Sequence, residues 1–237
     1  MSRRPAGRLS RRPDSAFSLI ELMVVIVIIA IMTALLVPAF NNINGSRGLT
    51  RAITDTSGML EFARAQAMAN RTYVYVGFVN TANSDGNSEL RMGAVISIDG
   101  TSSTAATNLR PLSKLVKIPN VQTTVYTDLP QSVRDASTDP ATGRSDQSTN
   151  SDYVASSSFP TTGYLSGQFN DSAFNSCATI GISPQGEILH TSNSAAFFRT
   201  TVSIGLVRTH GTSRVTNDGA IVSYYGGTGQ MRITRPL

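Results

Sequence analysis

The sequence predicts an α+β fold, one long N-terminal helix packed against an antiparallel β-sheet head. Three observations predict it. An unbroken apolar run comes after an arginine-rich start, a stripe of apolar residues at helical spacing comes next, and short Val-, Ile- and Tyr-rich segments fill the remainder. Closely spaced strands after a single helix favour a helix-on-sheet arrangement over a parallel βαβ fold.

The first element is the run from Phe17 to Phe40, FSLIELMVVIVIIAIMTALLVPAF. Between Leu22 and Val37 its only polar side chain is Thr33, whose hydroxyl can bond back to a helical carbonyl. Phe17 to Val37 would measure about 31 Å as a helix, the thickness of a bilayer's hydrocarbon core. Arg3, Arg4, Arg8, Arg11 and Arg12 precede it, and the next basic residue is Arg47. The positive-inside rule therefore keeps residues 1–16 in the cytoplasm and exports the chain beyond about residue 40. The formal charge of +5 belongs mainly to the leader. Residues 1–16 hold five of the twenty basic residues and one of the fifteen acids, so the rest carries +1. Global charge thus says little about partners.

A secretory signal peptide and an unprocessed anchor are the plain readings of such a run. Its length exceeds the usual signal-peptide core, and Val37-Pro38-Ala39 is a poor small-x-small site. Glu21 suits neither, because an acid inside the run wants a partner and no Lys or Arg lies within it. Cutting before Phe17 would create one, an α-amino group with an ordinary pKa of about 7.7–8.0. In a bundle of such helices, the Glu21 of one subunit could pair with a neighbour's amine at low dielectric.

Ala16-Phe17-Ser18-Leu19-Ile20-Glu21, continuing into LMVVIVIIAI, resembles the processing site and helix of type IV prepilins and type II secretion pseudopilins. The resemblance implies that prepilin peptidase cuts between Ala16 and Phe17 and N-methylates Phe17. It also implies that Glu21, the fifth mature residue, guides registration during assembly with other pilin or pseudopilin subunits. Ala16 stands where the family usually has Gly. Pro38 matches the family's helix-bending proline, and a proline there removes one helical hydrogen bond.

Asn41 to Gly48 is polar and contains Gly45 and Gly48, so the helix is expected to weaken there. A second helical pattern spans about Leu49 to Asn70, with Ile53, Leu60, Ala63 and Ala67 on one face and Met59 and Phe62 widening it. Residues 41–70 are read as a helix extension supporting a β-rich head over 71–237. The expected strands are Thr72–Val79, Leu90–Ile98, Val121–Thr127, Ala178–Ser183, Glu187–Thr191, Val202–Arg208, Ala220–Tyr225 and Gln230–Thr234. Pro184-Gln185-Gly186 and Gly226-Gly227-Thr228-Gly229 supply turns. Residues 128–171, rich in Ser, Thr, Asp, Asn and Pro, read as a long surface insertion.

Within the pilin-like group the head resembles the FimT and minor pseudopilin H type. The residues that carry this are Leu60 to Arg71, Ile182-Ser183-Pro184-Gln185-Gly186 and Gly229-Gln230-Met231-Arg232, with Gln230 in place of that group's first arginine.

Candidate chemistry elsewhere is sparse. Cys177 is the only cysteine and reads as a small buried side chain. His190 and His210 have no metal-ligand spacing. No G-x-S-x-G elbow supports a secreted hydrolase, so no catalytic residue, cofactor or metal is expected. Asn83 to Glu89 faintly resembles a calcium loop, and a polar hairpin tip is the favoured reading. Arg208, Arg214, Arg232 and Arg235, with His210, could gather at one end of the head. Some FimT-type subunits are associated with DNA uptake, so a nucleic-acid contact is the alternative to a solvated surface. The expectation is a non-enzymatic, minor structural subunit, held in the bacterial inner membrane with its head in the periplasm before joining a filament.

Overall fold

The structure, a computed structural model, describes residues 18–137, 153–157, 159, 161–192, 195–198 and 201–235. For residues 34–47, 190–192, 195–198 and 216 this covers the backbone alone. The chain forms two units, residues 1–43 and 44–237.

Helix α1 spans Leu19–Asn70. The weakening expected over Asn41–Gly48 does not occur, since α1 is continuous there. Propensity is a weak constraint beside packing, and Leu49, Ala52 and Ile53 are buried immediately afterwards. Arg71 ends the helix in the left-handed region at φ 51°. Its N–H donates to Met68 O (3.4 Å) and that of Thr72 to Ala67 O (3.0 Å), a Schellman closure. Glycine normally occupies this position because a Cβ is penalised there. Arg71→Gly is therefore expected to stabilise the head by about 1 kcal/mol, measurable as a raised urea midpoint at unchanged slope.

The head contains twelve strands among the described residues. They are β1 (Val74–Ala82), β2 (Ser88–Ser97), β3 (Leu109–Pro111), β4 (Val116–Pro119), β5 (Val121–Thr124), β6 (Thr161–Thr162), β7 (Cys177–Ile182), β8 (Ile188–Ser192), β9 (Ala195–Phe198), β10 (Thr201–His210), β11 (Ser213–Tyr225) and β12 (Met231–Thr234). One sheet runs β3-β2-β1-β7-β8-β9, with β4 also on β2 and β6 also on β7; a second runs β12-β11-β10-β5. All pairings between these strands are antiparallel, as expected, but the single sheet anticipated is two.

Both sheets turn an apolar face to α1. Leu49, Ala52, Ile53, Met59, Leu60, Ala63 and Ala67 share one core with Val74, Val76 and Phe78 of the first sheet and Val202, Ile204, Leu206, Val222 and Tyr224 of the second. Fully burying a side chain of this size contributes about 1.5–3 kcal/mol. Phe62 does not join them and is 41% exposed, because it lies about 100° around the helix from Ala63.

The segment 128–171 is more than a surface insertion. Leu165 and the half-buried Phe169 of this segment, with Phe174 just beyond it, cover the far side of the first sheet around Tyr75 and Val95. Leu129, Val133 and Tyr153 cover Val207 and Ile221 of the second. Val133 lies on a short helix, α2 (Gln131–Ala136), and Phe169 ends another, α3 (Ser166–Phe169). Residues 138–152 lie outside the described part.

Candidate functional site

The N-terminal part of α1 is apolar on every side. Each described large apolar side chain from Leu19 to Met32 is exposed, from 79% at Leu19 to 44% at Val25. A helix apolar all round needs lipid or other helices about it. Thr33 Oγ1 donates to Ile29 O at 2.7 Å, so its hydroxyl is satisfied within the helix. Ser18 supplies the N-cap. Its carbonyl accepts Leu22 N–H (3.2 Å) and its Oγ accepts Glu21 N–H (3.2 Å). Glu21 lies in the first turn, where the helix dipole favours an anion. Its carboxylate has no ion-pair partner among the described residues. Ala16 and Phe17 lie outside the described residues, and Pro38 falls within α1 with its side chain outside them. Among the described residues no helix is long and apolar enough to cross a membrane, and the described side chains of the run stop at Thr33.

The head arginines do not form a bare cationic patch. Arg208 Nε is 3.0 Å from Asp218 Oδ2, and Arg235 Nη2 is 3.6 Å from Asp218 Oδ1. The Arg208 contact is an ion pair by distance and not a directed hydrogen bond. Asp218 reaches it where the β10–β11 register shifts between Val207 and Thr209. Arg214 pairs with Asp128, and Arg235 also donates to Thr50 Oγ1 on α1 at 2.9 Å. Arg232 lies on β12, opposite Ser223. Arg208, Arg214 and Arg235 thus have acidic partners, which removes much of the field that phosphate binding would use. His210 ends β10 and His190 lies in β8 of the other sheet, so the two histidines belong to different sheets.

Sequence reasoning missed the role of Arg64. Its Nη1 donates to Gly229 O (3.3 Å) and its Nη2 to Thr228 O (3.1 Å) in the β11–β12 turn. It also packs over the β7–β8 turn, where a Cβ on Gly186 would lie 2.8 Å from Arg64 Nε. One guanidinium on α1 therefore holds a turn of each sheet. The signal was present in Leu60–Arg71, Ile182–Gly186 and Gly229–Arg232, segments distant in sequence that meet at this side chain.

Other polar features are structural. Asn83 Oδ1 accepts the N–H groups of Asp85 (3.0 Å) and Asn87 (2.9 Å), closing the β1–β2 hairpin as a polar tip, while Glu89 accepts from Arg91 Nε at 2.7 Å. Arg91 also donates to Asp171 at 2.8 Å, tying the inserted segment to β2. Cys177 is free and buried, its thiol pushed up by burial, with Thr162 O at 3.4 Å and Thr179 Oγ1 at 3.5 Å. Asp99 accepts from the Thr101 N–H and Oγ1 (both 2.8 Å) and from Ser97 Oγ (3.0 Å). These bonds, that of the Thr101 N–H foremost, hold its carboxyl down to about 2 from 3.8. A depressed carboxyl stabilises the fold fully above its ordinary value and loses that contribution as pH falls through about 2. Asp99→Asn should flatten the stability profile between pH 4 and pH 2, checked by urea midpoints across that range.

No curated protein and no solved structure matches the chain. Residues 11–37 match the family model described as the prokaryotic N-terminal methylation motif. This chain carries that motif on the apolar start of α1, and the match supports a type IV pilin-like or pseudopilin subunit.

Proposed function

We propose that the protein is a minor, non-enzymatic structural subunit of a type IV pilus or type II secretion pseudopilus, of the FimT and pseudopilin H type. The apolar run stores it in the inner membrane with the head in the periplasm. Prepilin peptidase cuts between Ala16 and Phe17 and methylates Phe17, and Glu21 then guides the helix into a filament with other subunits. The observation that carries this reading is Glu21 itself, an acid in the first turn of a helix apolar on every side, inside the matched motif. The meeting of Arg64, Gly186 and Gly229 supports the subtype, since the three segments of that resemblance pack together. The acidic partners of Arg208, Arg214 and Arg235 favour a structural role over DNA uptake.

Mass spectrometry of the mature N-terminus tests the proposal. The expected first residue is N-methyl-Phe17; a chain starting near Asn41 would show that the run is a discarded signal peptide.

A further inference from the structure

We propose that the β3–β4 edge of the head receives an acidic segment of a partner protein. The inference does not depend on the processing and assembly proposed above.

Among the described arginines and lysines, Arg71, Arg110, Lys114 and Lys117 have no ion pair or hydrogen bond to another described residue. All four are exposed. Arg110 on β3 lies opposite Ile96, and Lys117 on β4 lies opposite Arg91, so both border β2 with Lys114 between them in the chain. The two pairings are five residues apart along β2, about 17 Å. Arg71 adjoins the Arg110 end, where its neighbours Asn70 and Thr72 line a cavity of about 430 Å³ with Arg110, Ile98 and Asp99. The acids that face this edge are Asp99 and the pair Glu89 and Asp171, which share Arg91. Counting Arg91, five cations meet three acids and leave +2 at the edge, where residues 17–237 as a whole carry +1. The unpaired positive charge of the described head is therefore gathered here.

The strands themselves narrow the kind of partner. Pro111 and Pro119 end β3 and β4, and their missing N–H groups guard the edge against a further strand. Lysine is also an edge guard, but the prolines already fill that role and Arg71 lies on no strand. Recognition at this edge is thus by charge. The segment 109–119 contains no aromatic residue, so it lacks the stacking platform that single-stranded nucleic acid uses. A run of carboxylates on another protein meets the cations without needing either device.

Lys114 and Lys117 are the only lysines of the chain, which makes the edge addressable. The full-length chain in neutral detergent is treated with a carbodiimide and N-acetylated hexaglutamate. The reagent takes up the water lost as a carboxylate and a lysine amine form an amide, and mass spectrometry maps the product. Crosslinks at Lys114 and Lys117 should form about tenfold faster than with N-acetylglutamate at equal carboxylate concentration, the sum of three exposed charge contacts. They should fade in about 1 M salt, where screening acts within about 3 Å. Arg110→Gln removes an exposed side chain and no amine, and should lower the yield at both lysines about threefold. Equal rates for hexamer and monomer, or an unchanged yield in Arg110→Gln, would reveal only two reactive amines and overturn the site. Suppression of the crosslinks by hexathymidylate at a phosphate concentration below that of the carboxylates would put a nucleic acid in place of the acidic segment and overturn the proposal as well.

Discussion

Replacing Gly229 with alanine should destabilise the head by about 3 kcal/mol. Two costs combine. Gly229 has φ 68°, a conformation that penalises any Cβ by about 1–2 kcal/mol. The added methyl would also land on the Arg64 guanidinium. Arg64 is long enough to swing aside, but only by giving up its bonds to Gly229 O and Thr228 O. A hydrogen bond from a charged donor contributes about 1.5–3 kcal/mol when fully shielded, and less at this half-exposed position. Urea unfolding of the 44–237 unit measures the loss. Because both residues act on one contact, Arg64→Ala combined with Gly229→Ala should cost at least about 1 kcal/mol less than the two changes added separately. Simple additivity would show that the turn, and not the clamp, sets the effect.

This contact also marks the limit of what was legible in the sequence. The helical stripe and the main strands could be read because their periodicity is local. Ile53, Leu60, Ala63 and Ala67 repeat at helical spacing and are all buried. The strands that escaped notice, β3, β4, β6 and β9, run two to four residues, too short for alternation to register. Two of them end in Pro111 and Pro119, residues that read as breakers. The segment 128–171 misled through its average composition. Leu129, Val133, Tyr153, Leu165 and Phe169 are few among many polar residues, yet each is spent on the outer face of a sheet. The arginines misled in the opposite sense. From the sequence, Arg208, Arg214, Arg232 and Arg235 could gather at one end of the head, but the acids Asp128 and Asp218 reach Arg208, Arg214 and Arg235 through the β10–β11 irregularity and the inserted segment. At the N-terminus the methylation motif over residues 11–37 was legible, since a motif of consecutive residues needs no tertiary structure to be read.

Glu21→Ala is expected to leave membrane insertion and leader removal intact while blocking entry into the filament by more than about 100-fold. In the proposed assembly Glu21 pairs with the α-amino group of a neighbouring Phe17 inside a bundle of apolar helices. Removing one member of a buried pair costs about 3–5 kcal/mol, because the other charge is left without compensation. Glu21 has a second, backbone-borne role, since its N–H is what Ser18 Oγ receives. That bond survives loss of the side chain, so Ala should keep the helix start. Glu21→Gln then separates charge from capping, because Gln serves equally at the third position of a capping box but cannot pair with an amine as a carboxylate does. Both variants should accumulate in the membrane as processed, unassembled subunits, measured by fractionating sheared filaments from cells. A Gln variant assembling like wild type beside an Ala variant that fails would assign Glu21 to the helix cap and remove the charge from the mechanism. Should both fail, the acid acts through its charge, and the single carboxylate in an apolar helix has its explanation in the neighbour it awaits.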